Sequence, residues 1–177
     1  MKRFLTSALK ISALSALVFA PTFISAGEAS AKPTGTNASY LGAGVSLSAT
    51  NNAKTSDDAG FGGNLQGRFA IPNTPISARG AILFNGETSA IMPMISYDVP
   101  ITNNANAYVG AGYSFVEEDG KLSPLGNKDA VVLTAGAEAE IRRNIVFYGD
   151  AKLGLDAYEN SSEPAVSFQL GAAYRFN

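Results

Sequence analysis

Residues 130 to 141 read Ala130-Val131-Val132-Leu133-Thr134-Ala135-Gly136-Ala137-Glu138-Ala139-Glu140-Ile141, and their hydrophobic period is two. Val131, Leu133, Ala135, Ala137, Ala139 and Ile141 fall on one face of an extended chain. Thr134, Gly136, Glu138 and Glu140 fall on the other. A helical turn would mix the two sets, whereas a strand separates them. The stretch therefore predicts a strand with one wholly apolar face and one face that carries charge.

The same alternation recurs in seven more segments, giving eight strands at about 39–49, 61–71, 76–85, 90–99, 107–116, 130–141, 145–156 and 165–176. In the first, Leu41, Ala43, Val45 and Leu47 oppose Tyr40, Gly42, Gly44 and Ser46. In the third, Leu83 falls among the polar residues, against its class. In the fourth, Pro93 cannot donate to a ladder, so a bulge or a lost ladder bond is expected there. Tyr40-Leu41-Gly42-Ala43-Gly44-Val45-Ser46 is echoed by Tyr108-Val109-Gly110-Ala111-Gly112-Tyr113-Ser114, a short internal repeat. Gly110 and Gly112 lack the following helix and the lysine of a phosphate loop, so they read as strand-packing glycines.

The connections alternate in character. Pro72 to Pro75, Pro100 to Asn106 and Arg142 to Asn144 are compact; those at about 50–60, 86–89, 117–129 and 157–164 are mostly longer and more polar. Short turns on one rim and longer loops on the other are the layout of an outer-membrane barrel, and an even strand count leaves both termini on the short-turn rim.

The 177 residues include no Cys, His or Trp. That excludes disulfide frameworks, thiolate zinc sites, Fe–S clusters and histidine-dependent catalysis. No cofactor and no metal site is expected. Residues 1–26 have the three-part form of a secretory signal peptide: Lys2, Arg3 and Lys10, an apolar run from Ile11 to Ala20, then Pro21, Ser25 and Ala26. The run is too short for the ~20 helical residues that span a bilayer. Cleavage after Ala26 or after Ala31 both fit. The expected organisation is a signal peptide at 1–26, a short tail at 27–38 and a barrel at 39–177. Removing 1–26 takes three of the 13 basic residues and none of the 15 acidic ones, leaving a net charge of about −5. A polyanion partner needs a basic face, so nucleic acid is not expected. The acids cluster in loops, at Asp57-Asp58, Glu117-Glu118-Asp119, Glu159 and Glu163, where they are either simply solvated or the contact surface for an extracellular partner.

Either parity could face inward. The apolar parity carries no charge within the strands, and its aromatics gather toward the ends: Phe69, Tyr97, Phe147, Tyr174 and Phe176 near one rim, Phe61, Phe84, Phe115 and Phe168 near the other. This resembles two girdles around an apolar band of about 25 Å. The opposite parity holds Arg68, Arg79, Asp98, Glu138, Glu140, Asp150, Lys152 and Arg175. On the lipid side near the midplane each Arg or Lys would cost about 2–4 kcal/mol, so these charges are placed inside. A soluble barrel of the lipocalin type is the competing architecture.

Strands two and three bring Arg68 opposite Arg79, which repel unless carboxylates intervene. Three readings of the charged cluster compete: a salt-bridged plug, a narrow polar passage, and an acid–base pair at Glu138 and Glu140. A closed lumen favours the first, because an unpaired buried charge is costly. An eight-stranded barrel is also only wide enough to be filled by side chains.

Taken together, the signal peptide, the Tyr-x-Gly-Ala-Gly strands, the charged inner parity and the C-terminal run Phe168-Gln169-Leu170-Gly171-Ala172-Ala173-Tyr174-Arg175-Phe176-Asn177 resemble the small eight-stranded outer-membrane barrels of the OmpA and OmpX type, the OmpA-like transmembrane domain superfamily. The C-terminal run is similar to the strand signal read by the barrel-assembly machinery, with Phe168, Leu170, Tyr174 and Phe176 at the signal positions. It departs at Asn177, since such strands usually finish on the aromatic.

The resemblance implies an eight-stranded antiparallel up-and-down transmembrane β-barrel in a bacterial outer membrane, surrounded by outer-membrane lipid and monomeric. The expected role is structural or surface-interacting, in adhesion or protection. The alternatives are a narrow porin-like channel for small solutes or ions and a lipid-directed enzyme, the latter disfavoured by the missing histidine. No wall-binding domain is expected to follow the eighth strand.

Overall fold

A computed structural model describes residues 33–50, 60–118 and 120–176. The expected signal peptide, tail residues 27–32, Asp57-Asp58, Asp119 and Asn177 lie outside the described residues.

Eight strands form: β1 (Tyr40–Ser48), β2 (Phe61–Ala70), β3 (Ile76–Phe84), β4 (Ser89–Pro100), β5 (Ala105–Val116), β6 (Ala130–Arg142), β7 (Ile145–Leu155) and β8 (Ala165–Arg175). They close into one barrel in sequence order, every neighbour antiparallel, with β1 pairing β8 from Tyr40↔Arg175 to Ser48↔Ser167. Closure removes every sheet edge, so each ladder donor and acceptor has a neighbouring strand to meet, as a membrane interior requires.

The short rim is built by turns that need left-handed backbone at single positions. Asn73 (φ 60) and Asn144 (φ 68) supply it, asparagine being the non-glycine residue that tolerates it best. β5 runs two residues further toward this rim than periodicity alone indicates, and β4 one, with Ala105 and Asn106 pairing with Ala139 and Glu138.

At Pro93 the ladder to β5 is interrupted: pairing runs from Ile91↔Phe115 to Met94↔Gly112 with no change of register, while Gly80↔Pro93 holds on the β3 side. The proline therefore costs ladder bonds on one side without a bulge. Register shifts once, between Glu140 and Arg142 on β6.

The apolar parity faces outward on every strand. Leu41, Ile95, Leu133, Leu170 and the aromatics of both expected girdles are exposed, Ile95 at 65% and Leu170 at 64%. Such a continuous belt is far larger than the apolar patches of soluble monomers. The opposite parity is buried, with Lys152 at 1% and Glu138 at 2% exposure. That arrangement inverts a soluble barrel and overturns the lipocalin-type alternative. No helix of the described residues is long and apolar enough to cross a membrane; the strands carry the belt.

Bulky inner side chains fit because their cross-strand neighbours are glycines. Tyr148 lies over Gly171 and Tyr108 over Gly136, each pair in register. A Cβ at residue 171 would stand 2.5 Å from Tyr148 Cζ and 2.6 Å from the Ala43 carbonyl oxygen. Gly171→Ala is expected to lower barrel stability by about 1–3 kcal/mol through overpacking, whereas Gly80→Ala, with open space around its Cβ, is expected to lower it little or not at all. Urea unfolding of the two variants in vesicles checks this; equal midpoints would show that the tyrosine can move aside.

Candidate functional site

The interior is layered along its axis. Toward the short-turn rim, Arg68 on β2 and Arg79 on β3 are direct cross-strand partners, and Asp98 on β4 and Glu138 on β6 separate their charges. Arg68 reaches Asp98 Oδ2 at 2.7 Å and Glu138 Oε1 at 2.9 Å. Arg79 reaches Asp98 Oδ1 and Glu138 Oε2, each at 3.0 Å. Each carboxylate thus bridges both guanidiniums with a different oxygen, and charges alternate around a closed quartet.

Neutral donors and acceptors complete it. Arg68 Nε donates to Ser77 Oγ at 3.0 Å and Arg79 Nε to Ser96 Oγ at 2.7 Å. Both serines in turn donate to Asp98. Tyr40 donates to Glu138 Oε2 at 2.8 Å, and the Arg79 guanidinium lies 3.6 Å from the centroid of the Tyr108 ring, a cation–π arrangement.

One layer up, Lys152 pairs with Asp150, both fully buried, and also donates to Gln66 Oε1 at 3.3 Å and Gln169 Oε1 at 3.4 Å. Tyr108 donates to Asp150 Oδ2 at 2.8 Å, and Gln66 donates to Tyr108, which joins the two layers. Tyr148 donates to Asn64 and stacks on Tyr40. The buried cations Arg68, Arg79 and Lys152 are matched by the buried acids Asp98, Glu138 and Asp150, so the core of the lumen is electrically neutral. That match is what allows six charges to sit in a buried interior.

Glu140 and Arg175 do not join this core. They pair with each other at the rim, partly exposed. Glu138 and Glu140, set together by sequence spacing, therefore belong to different groups. Among the described residues no group of three or more His, Cys, Asp or Glu side chains could hold a metal ion. The residues expected to form the C-terminal assembly signal, Phe168, Leu170, Tyr174 and Phe176, all face outward and are exposed.

Three features were not expected. The tyrosines already lay on the glycine parity, and their cross-strand glycines are the signal that marks them as lumen fillers. The second is the segment preceding β1. Thr36, Ala38 and Ser39 are buried: Asn106 accepts from the Thr36 amide at 3.2 Å and donates to its carbonyl at 2.8 Å, while Arg68 donates to the carbonyls of Thr36 and Ala38. The segment is thereby strapped to β2 and β5 at the short-turn end. Asn106→Ala is expected to release this strap, at a cost of about 1–3 kcal/mol for the exposed or orphaned polar groups. Hydrogen exchange should report faster exchange of the Thr36 amide; unchanged protection would mean that Asn106 does not hold it.

The third is an apolar cluster in the upper lumen. Leu83, Met92 and Val132 face inward toward the long-loop rim and cluster with Leu125 of the β5–β6 loop, and Met94, beside Arg79, joins the cluster from below. Leu83 is against its class only if the whole lumen is taken as polar. This loop is tied to the β7–β8 loop: Asn127 N–H donates to the Ala157 carbonyl, its side-chain oxygen accepts from the Glu159 amide, and Lys128 pairs with Asp156. Tyr158 is hydrogen-bonded to Thr50. Burial holds its phenol above the ordinary value, outweighing that hydrogen bond, so it remains neutral.

A family model described as outer membrane protein beta-barrel domain matches residues 11–176. Among solved structures, a barrel from the de novo design of transmembrane β-barrels aligns with TM-score 0.53 at 12% identity, covering 80% of this chain and 98% of that one. The crystal structure of Ail, the attachment invasion locus protein of Yersinia pestis, aligns with TM-score 0.51 at 17% identity, covering 79% and 99%. The backbone structure of Ail in a phospholipid bilayer nanodisc aligns with TM-score 0.51 at 17% identity, covering 80% and 100%. At these identities the likeness is one of fold. No curated protein matches the chain.

Proposed function

The chain belongs to the outer membrane protein β-barrel domain family, and from that premise we propose that it is a bacterial outer-membrane barrel with a sealed lumen, serving a structural or surface-interaction role. The observation that carries this reading is that buried side chains occupy every level of the interior: strap and ion quartet below, tyrosine and lysine layer between, Leu125 and its apolar neighbours above. The apolar cluster in the upper layer, beside the buried Ser46, Ser114 and Ser167, speaks against the porin-like alternative. Acid–base catalysis fares no better. Both Glu138 oxygens are engaged by arginines, and Glu140 pairs with Arg175 in a separate group at the rim, so the two carboxylates do not face one site.

On this reading both termini and the short turns face the periplasm, and the surface offered outward is the loop set that carries Glu87, Glu117, Glu118, Glu159 and Glu163. The cross-links through Asn127 and Tyr158 hold two of those loops in one arrangement, which favours recognition by lowering the ordering cost of binding. The fold accommodates such a role, since a barrel with the same architecture is named an attachment invasion locus protein. The partner would be an extracellular molecule, and the C-terminal strand would be handed to the assembly machinery.

The test is planar-bilayer recording of the purified, refolded chain, together with heat-modifiable gel migration of the membrane fraction. A compact species that shifts on boiling and shows no steady openings is expected. Steady conductance that changes on Glu138→Gln would overturn the sealed-lumen reading in favour of the channel, and altered lipid products on expression would favour the enzyme.

A further inference from the structure

The register shift on β6 re-aims one side chain. Glu140 pairs with Val146, Ile141 has no partner, and Arg142 pairs with Ile145. Directly paired residues share a face, and Ile145 lies on the exposed outer face. Strict alternation from Glu138 and Glu140 would turn Arg142 inward. The extra residue turns it outward instead, so Ile141 and Arg142 are consecutive and both exposed. Arg142 thus stands at the rim in the cross-strand row Ile145, Tyr174, Leu41, below the girdle residue Phe147. Arg143 follows in the turn.

Arg68, Arg79, Lys121, Lys128, Lys152 and Arg175 are each paired with a carboxylate. Arg142 and Arg143 are the cations among the described residues without such a pair or any hydrogen bond from their guanidiniums, and the nearest rim acid, Glu140, is engaged by Arg175. The other two turns on this rim, Ile71 to Pro75 and Ile101 to Asn104, carry no charge. Among the described residues the short-turn rim therefore has one local unpaired positive site, at headgroup depth beside the lipid-facing belt.

We propose that Arg142 and Arg143 form a binding site for the phosphate of an anionic phospholipid in the leaflet that meets the short-turn rim. A guanidinium fits phosphate with parallel N–H donors, the acyl chains would lie along Ile141, Ile145 and Phe147, and the bulge supplies the aim. The proposal rests on the membrane reading above.

The test refolds the full chain in phosphatidylcholine vesicles containing traces of spin-labelled phosphatidylglycerol or spin-labelled phosphatidylcholine, and measures the motionally restricted fraction of each. Wild type is expected to prefer phosphatidylglycerol, by up to about fivefold per arginine. R142Q/R143Q should lose that preference and R142K/R143K should keep part of it. Excess inorganic phosphate should leave it intact, because the chains anchor the ligand. Equal association of the two lipids with wild type, or a preference that survives R142Q/R143Q, overturns the site while leaving the barrel reading in place. Displacement by inorganic phosphate would make the site one for free phosphate and overturn the lipid assignment. Failure of wild type to insert, seen as absent heat-modifiable migration, overturns both. If the double variant does not insert, R142Q and R143Q are compared separately by the same criteria.

Discussion

Glu138→Leu is expected to destabilise the barrel by about 3–5 kcal/mol, the cost typical of removing one member of a buried ionic group. Two guanidiniums that are direct ladder partners would then share Asp98 alone, and Tyr40 would lose its acceptor. The uncompensated positive charge, rather than the lost attraction, sets the size of the effect. Arg79→Met in the same background should therefore restore much of the loss, because Arg68 and Asp98 remain as a neutral pair. Urea unfolding in vesicles across the four members of the cycle checks this, with a coupling of about 0.5–3 kcal/mol expected between the two sites. Strictly additive losses would sink the account of a charge-balanced quartet.

Ile95→Arg should cost about 2–4 kcal/mol, the penalty for arginine near the bilayer midplane on the lipid face of a barrel. Ile95 is exposed at 65% in the middle of β4, with Ile91 and Pro93 on one side of it and Tyr97 and Val99 on the other along the same face. Ile141→Arg, on the same face but at the rim, should cost only about 0–1 kcal/mol. The difference between them measures depth in the hydrocarbon rather than burial in protein. A soluble barrel would show no such difference, tolerating arginine at both exposed positions. Equal, small penalties in vesicles would therefore remove the membrane argument, whatever the topology.

Strand number and facing were legible in the chain because a period of two is a local property, and one parity carried every charge within the expected strands. The acceptors that reconcile Arg68 with Arg79 were also present in the sequence as residue types. What could not be read was which acid reaches which base. Asp98 and Glu138 stand 40 positions apart in the chain yet flank the same pair of guanidiniums, and that proximity exists only after closure. Glu140 illustrates the limit from the other side. Two residues from Glu138 on the same strand, it pairs with Arg175 at the rim, because strand tilt and the nearby end of the barrel give it a different neighbour.

Local pattern along the chain dictates an eight-stranded sheet with an oily face and an ionic one, since alternation, turn residues and the cost of charge in lipid act on neighbouring residues. The strap at Thr36, the seating of Leu125 against inward-facing apolar residues, and the bulge that turns Arg142 to the outer face exist only in the folded barrel. Those outcomes depend on the register between strands and on loops folding back into the barrel. Contacts between residues distant in sequence are set by the closed geometry as a whole, and no local pattern encodes them.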